Sequence, residues 1–287
     1  MSFHNLKGYD SHLVLQEVGK FKDWRISAFG QNTEKLVSFS MCRGSCKHGN
    51  FREIRFLDSY AFMADSLDNL VQNLKKAGLD KFNHLKKNFG SDDMQFITRK
   101  GVYPYEYMNS FDRFAETSLP PKEAFYSTLT EKHISDDDYK FAQSVWDHFK
   151  MQTMADYHDH YLKTDTILLA DVLNNFREDT LKTHRVEALQ FYTSPGMSWG
   201  AMMVKTRVVL ELLTDVNMYM HFEKLNGGVS MVSKRYAKAN NPLILSTYDP
   251  SKPHVFIFYF DTNNLYGYTM CNYLPISDFT WVTDLDN

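Results

Sequence analysis

The chain has 287 residues, 43% of them apolar and 15% aromatic, so it can build a sizeable core and is not a disordered segment. A formal charge of −3 supplies no bulk attraction to nucleic acid, although a local groove of Lys and Arg is compatible with that average. Three cysteines, Cys42, Cys46 and Cys271, are too few for a disulfide scaffold and suggest a reducing, intracellular setting.

From the N-terminus, Asn5-Leu-Lys-Gly-Tyr-Asp10 gathers an amide, an aromatic and a carboxylate around a glycine turn. Those residue types are also ordinary turn formers, so this stretch alone decides nothing. HLVLQEV (12–18) then suggests a short helix or strand. Cys42, Cys46 and His48 invite a zinc reading, but a closed site needs four ligands and no second pair follows, so a surface loop or hairpin connection is the stronger expectation. IRFLDSYAFM (54–63) begins as a strand that reaches Asp58 and Ser59. Leu67, Leu70, Val71 and Leu74 have helical spacing, closed by Gly78. Residues 79–135 read mostly as connection, with Pro104, Pro120 and Pro121 as breakers.

Ser135 followed by three aspartates is a helix N-cap signal, and that helix runs through Val145, Trp146 and Phe149. A longer helix begins near Thr153 and continues to about residue 180. Within it, Tyr161 and Asp165 are four apart and project from one face, among Leu162, Leu168, Leu169 and Val172. A carboxylate in such company loses hydration and needs a cation or strong donors to remain charged. A divalent metal would serve; a partly exposed Asp at the edge of an amphipathic helix is an equally good account. His158, Asp159 and His160 are rival ligands, but the two histidines diverge on a helix and are expected to be solvated or hydrogen-bonded.

The pattern breaks around Pro195 and Gly196. Helical material over 200–214 follows, then the Gly227-Gly228 pair, a strand at GVSMVSKRY, and the apolar run VFIFYF at 255–260. That run lacks polar alternation, which suits a central strand covered on both faces. Asp261 would stand where it emerges, either as a metal-bearing carboxylate or as part of a plain strand-to-turn junction. Tyr266 is large enough to floor a sugar pocket. No apolar stretch is long enough to span a bilayer and no secretory signal is seen, so no membrane partner is expected.

Taken together and in order, the motifs resemble those of family B DNA polymerases of the protein-primed branch, and most of all the Polinton (Maverick) transposon and related viral type. FHNLKGYDSHL is similar to the second exonuclease motif, YHDHYLKTDTILLADVLNNFRE to the third, and FYFDTNNLYGYTM to polymerase motif A, with Asn264 in the usual Ser place. FLDSYAFMADSLDNLVQNL, KGVYPYEYMNSFDRFAETSLPPKEAFYS and SMVSKRYAKANNP also resemble this group, so the likeness covers essentially the whole chain.

The resemblance implies an α/β architecture: a ribonuclease-H-like 3′–5′ exonuclease domain over 1–190, then the start of a family B palm over 191–287. It implies that Asp10 and Asp165 ligate the exonuclease metals, with Asp10 just after a strand and Tyr161 orienting the attacking water. Asn5 and Tyr9 would steady a single-stranded 3′ end, and Ser59 and Leu67 lie in a region expected to touch it. Asp261 would hold the polymerase metals, with Leu265 and Tyr266 beside the incoming nucleotide. Leu225-Asn-Gly-Gly228 is similar to the interdomain Tyr-x-Gly-Gly loop, where Gly227 and Gly228 approach DNA, although Leu225 replaces the tyrosine.

Implied cofactors are Mg²⁺ or Mn²⁺ in two-metal sites. Implied partners are DNA, both a single-stranded 3′ end and a primer-template, deoxynucleoside triphosphates and a terminal protein primer, at a nuclear or viral replication site. The first exonuclease motif and the fingers and later palm motifs have no counterpart, and Asp284 and Asp286 are a decoy too near motif A. The expectation is therefore an incomplete carboxylate set and a chain nearly inactive alone, a fragment or a decayed copy. A non-catalytic single-strand-binding module is the alternative.

Overall fold

The computed structural model describes residues 1–7, 10–30, 36–44, 50–90, 92–224, 231, 234–244 and 246–282. They form two compact units, Met1–Arg207 and Val208–Asn287.

The first unit is mixed α/β. Strands β1 (Ser2–Phe3), β2 (Arg25–Gly30), β3 (Leu36–Arg43) and β4 (Arg52–Asp58) make one sheet in the order β1-β4-β3-β2. The meander β2-β3-β4 is antiparallel, and β1 lies parallel to β4 with Ser2 opposite Leu57 and Phe3 opposite Asp58. The β2-β3 hairpin is not anticipated by the sequence reading, although β3 alternates Val37, Phe39 and Met41 with serines at 38 and 40. Helix α1 (Asp10–Val18) covers the sheet, resolving the helix-or-strand ambiguity there. Leu6, Val18, Phe39, Met41 and Phe56 close this core, and the Phe39 and Phe56 rings stack at 4.4 Å.

Helices supply the rest. Helix α2 (Leu67–Ala77) starts at the Ser66 cap and ends at Gly78, whose φ of 135° a β-carbon would resist. The 79–135 stretch is more structured than expected, because α3 (Asn83–Phe89) and α4 (Met94–Ile97) fold within it. Their burial depends on tertiary packing: Val71, Phe82, Leu85, Met94 and Ile97 gather on Leu168 and Val172 of a later helix. Helix α5 (Asp136–His148) has Ser135 as its cap. Helix α6 (Met154–His184) opens with a capping box, in which the Thr153 hydroxyl accepts from Asp156 N–H and the Asp156 carboxylate accepts from Thr153 N–H. A carboxylate pins the start of α3 to this frame: Asp171 of α6 accepts from the N–H groups of His84 and Leu85 at 2.9 and 3.0 Å.

Helix α7 (Ser194–Thr206) belongs to the first unit, whereas the sequence reading draws a boundary at 190/191. The reason is tertiary: the Ser194 hydroxyl bonds to the carbonyls of Ala61 and Phe62, far back in the chain, and Gly200 lets the Phe191 ring lie against the helix.

The second unit holds α8 (Val216–Glu223) and α9 (Leu265–Met270). Met218 and Asn241 are its only buried side chains among the described residues. The VFIFYF run, expected to be a buried central strand, is not one. Only Val255 pairs, in an isolated bridge with Asn240, and the run is exposed throughout, Phe260 to 87%. No described strand lies alongside to complete its backbone hydrogen bonds. Phe256, Phe258 and Phe260 instead stack on one another at 6.0 and 5.9 Å. The strand expected at GVSMVSKRY falls mostly outside the described residues, and 234–236 are not strand; helix is likewise missing from 208–214.

Candidate functional site

Asp58 organises the Asn5–Asp10 turn. Fully buried at the end of β4, it accepts from the N–H groups of Asn5 (2.8 Å) and Tyr60 (3.0 Å) through Oδ1, and of Lys7 (3.3 Å) through Oδ2. Asn5 takes a left-handed φ of 67°, a position Asn tolerates better than most residues. Tyr9 lies outside the described residues. The preceding strand ends at Phe3, and Asp10 is the exposed first residue of α1 rather than a strand-end carboxylate. Ser59 is buried; its hydroxyl donates to the Phe3 carbonyl at 2.7 Å and lies 3.0 Å from His4 Nδ1, so it braces the turn from within. Leu67 packs on the helical core.

Tyr161 and Asp165 do share one face of α6. Burial is the main reason the Asp165 carboxyl titrates above the usual carboxylate range, and nearby Asp68 adds to it. The Tyr161 hydroxyl, Lys100 and the Gly101 N–H oppose that rise. Even so, Asp165 Oδ1 is buried with no hydrogen-bond partner. Tyr161 is buried too, its ring stacked on Tyr103 at 4.8 Å and its hydroxyl bonded to that of Tyr105. Its phenol is pushed well above the ordinary value, first by burial, then by Tyr105 and Asp165. The chain crosses this ring at Gly101, where a β-carbon would sit 2.6 Å from Tyr161 Cδ2.

The 100–105 segment is therefore what the sequence reading lacks. Lys100, Gly101 and Tyr105 lie inside a stretch that carries the family likeness, yet without a role, because nothing local links them to a helix sixty residues on. Asp68 is joined to this segment by the Lys100 N–H at 3.4 Å.

The rival histidines have structural partners. His158 Nδ1 lies 2.6 Å from the Tyr103 hydroxyl. His160 is half-buried against Phe89 and Phe149, and its pKa falls to about 4, mainly through burial, so its imidazole is neutral at pH 7. Cys42 lies on β3, with its sulfur 3.7 Å from the Ser40 hydroxyl; Cys46 and His48 are outside the described residues.

In the second unit, Asp261 is exposed in irregular chain, and Leu265 and Tyr266 are exposed in α9, Tyr266 to 86%. Asn264 caps that helix, accepting from Gly267 N–H at 3.3 Å. Gly227, Gly228, Asp284 and Asp286 are outside the described residues. Among the described residues no three His, Cys, Asp or Glu side chains converge on a point that could hold a metal ion, and no helix is long and apolar enough to cross a membrane.

A small mixed sheet flanked by helices and a half-buried aspartate beside a tyrosine suit an enzyme domain that handles DNA, but the same parts occur in many folds. The sequence is decisive: the family of DNA polymerases type B, organellar and viral, matches residues 1–287, and the chain belongs to it. It is also 24% identical over 234 residues to a probable DNA polymerase of Podospora anserina, covering 78% of this chain and 15% of that relative. No solved structure matches.

Proposed function

We propose that this chain is a DNA-handling part of a protein-primed type B polymerase, carrying an exonuclease-type site at Asp165 and a motif-A-type segment at Asp261. The observation that carries the reading is the buried, unpartnered Asp165 Oδ1 one helical turn from Tyr161. A buried acceptor left unpaired is costly, and such a cost is commonly retained where a ligand supplies the missing partner.

Mg²⁺ or Mn²⁺ fits Asp165 as a ligand, but the described donors do not close a two-ion site around it. No chemical step is therefore assigned to a metal. The surrounding residues can do three things. The Tyr161 hydroxyl, held by Tyr105, presents an oriented hydrogen-bond group beside the carboxylate. Lys100 offsets negative charge there, including that of an approaching phosphodiester. The Asp58-braced turn fixes the backbone around Asn5 against β4. The proposed partners are a single-stranded 3′ end at Asp165 and, at Asp261, Leu265 and Tyr266, a primer-template with a deoxynucleoside triphosphate. A terminal protein primer and a nuclear or viral replication site complete the reading.

The test is a 5′-labelled single strand incubated with Mn²⁺. Slow shortening from the 3′ end that Asp165→Ala abolishes supports the proposal. Shortening that survives Asp165→Ala removes Asp165 from the site. Retention of the strand without any shortening favours the alternative, a non-catalytic single-strand-binding module.

A further inference from the structure

Two helices of the first unit line one cleft with their C-terminal ends, and both are followed by arginine. Helix α6 stops at His184 and α7 at Thr206; Arg185 and Arg207 then take left-handed backbone, φ 59° and 54°, and return their N–H groups to Leu181 and Met203. Glycine adopts that conformation freely, whereas a residue with a β-carbon is strained in it. The cleft comprises two recesses of about 250 and 320 Å³ that share His184, Ala201 and Lys205. Their walls add Arg185, Arg207 and the hydroxyl residues Thr183 and Ser198, with no carboxylate and no Phe, Tyr or Trp. Among the described residues, Arg185, Lys205 and Arg207 form no ion pair and are exposed.

Cations near helix C-termini complement the carbonyl dipoles, which accounts for Lys182, His184 and Lys205 in the last turns. It does not account for arginine at two positions where glycine fits the backbone better. Nor does it account for three unpaired cations in one recess of a chain whose net charge is −3. A guanidinium grips two phosphate oxygens at once, an ammonium adds a point charge, and serine or threonine hydroxyls donate to the same oxygens. Without an aromatic wall there is nothing on which a base would stack.

We propose that this cleft binds the phosphodiester backbone of a DNA strand, gripping phosphates through Arg185, Lys205 and Arg207 without reading sequence. The choice of DNA rests on the polymerase reading above; the anion site does not.

Arg185→Gly/Arg207→Gly separates the two roles, because it deletes both cations while relieving the backbone. Binding of a fluorescein-labelled 20-nucleotide single strand to the full chain is followed by anisotropy from 50 to 200 mM NaCl. Losing two phosphate contacts should lower the slope of log K against log salt by about 1.4. With 1 M salt as the reference at which counterion release vanishes, that is about a 25-fold loss of affinity at 0.1 M. The melting temperature should hold or rise. Lys205→Glu should weaken binding in the same direction. Unchanged affinity and slope in both variants would overturn the proposal, as would lost binding of inorganic phosphate with DNA affinity intact. The cleavage assay at Asp165 is a separate readout, so failure of the exonuclease reading leaves these slopes interpretable.

Discussion

Asp165→Asn should stabilise the first unit. The substitution replaces an anion by a neutral amide of the same shape at a place where Oδ1 is buried without a partner. An unsatisfied buried polar group costs about 1–3 kcal/mol and more when it is charged, and the amide keeps a polar atom there while removing the charge. Attraction to Lys100 is lost together with the charge, so the net gain falls at the low end, about 1 kcal/mol. For a unit of this size that raises the melting temperature by about 2–4 °C at pH 7. The pH dependence has a definite sign. Because the folded-state pKa is raised, the native protein binds the proton more tightly than the unfolded chain. Stability therefore falls as pH rises from the ordinary carboxylate pKa through the elevated one. The advantage of the variant should be near zero in acid, grow across that window and then level off. Mg²⁺ should stabilise the wild type more than the variant, since the ion supplies the partner that Oδ1 lacks. Scanning calorimetry of both proteins from pH 3 to 8, with and without Mg²⁺, measures all of this. A variant that melts lower at pH 7, or that gains as much from Mg²⁺, refutes the account of Asp165 as an incompletely compensated anion with a buried, unpartnered Oδ1.

Other substitutions probe the frame. Asp58→Ala strands three backbone N–H groups and should cost about 2–4 kcal/mol, read as a lower urea midpoint. Gly101→Ala drives a β-carbon into the Tyr161 ring, and overpacking of this kind costs about 1–3 kcal/mol; a shift in near-ultraviolet circular dichroism should accompany it, and unchanged tyrosine signals would contradict the close approach. Phe258→Lys interrupts the exposed apolar run, so light scattering and dye binding by concentrated protein should fall relative to wild type; no change would mean the run is covered in solution.

Much of the helical half was legible because its signals are local. The Ser135 and Thr153 caps and the spacing of Leu67, Leu70, Val71 and Leu74 name their helices from neighbouring residues alone. The β2-β3 hairpin is only faintly legible, since serines at 38 and 40 dilute the apolar alternation of β3. Helices α3 and α4 were not legible, because α3 has no side-chain cap of its own and draws its first partners from Asp171, far along the chain. The VFIFYF run misled for the opposite reason. Its composition specifies a covered strand, but pattern cannot supply the neighbouring strand that would cover it. At the candidate site, the pairing of Tyr161 with Asp165 followed from helical geometry. The approach of Lys100, Gly101 and Asp68 is a tertiary fact that only the fold reveals.

The grip of Asp171 on the start of α3 also bears on how this unit breathes. Were the 83–89 turn to lift away alone, Asp171 would lose both of its N–H donors while Leu168 and Val172 lost the cover of Leu85. The short helix and the long one are thus bound into a single opening event. Their amide protons should exchange with solvent together, and slowly, although a seven-residue helix by itself would scarcely persist.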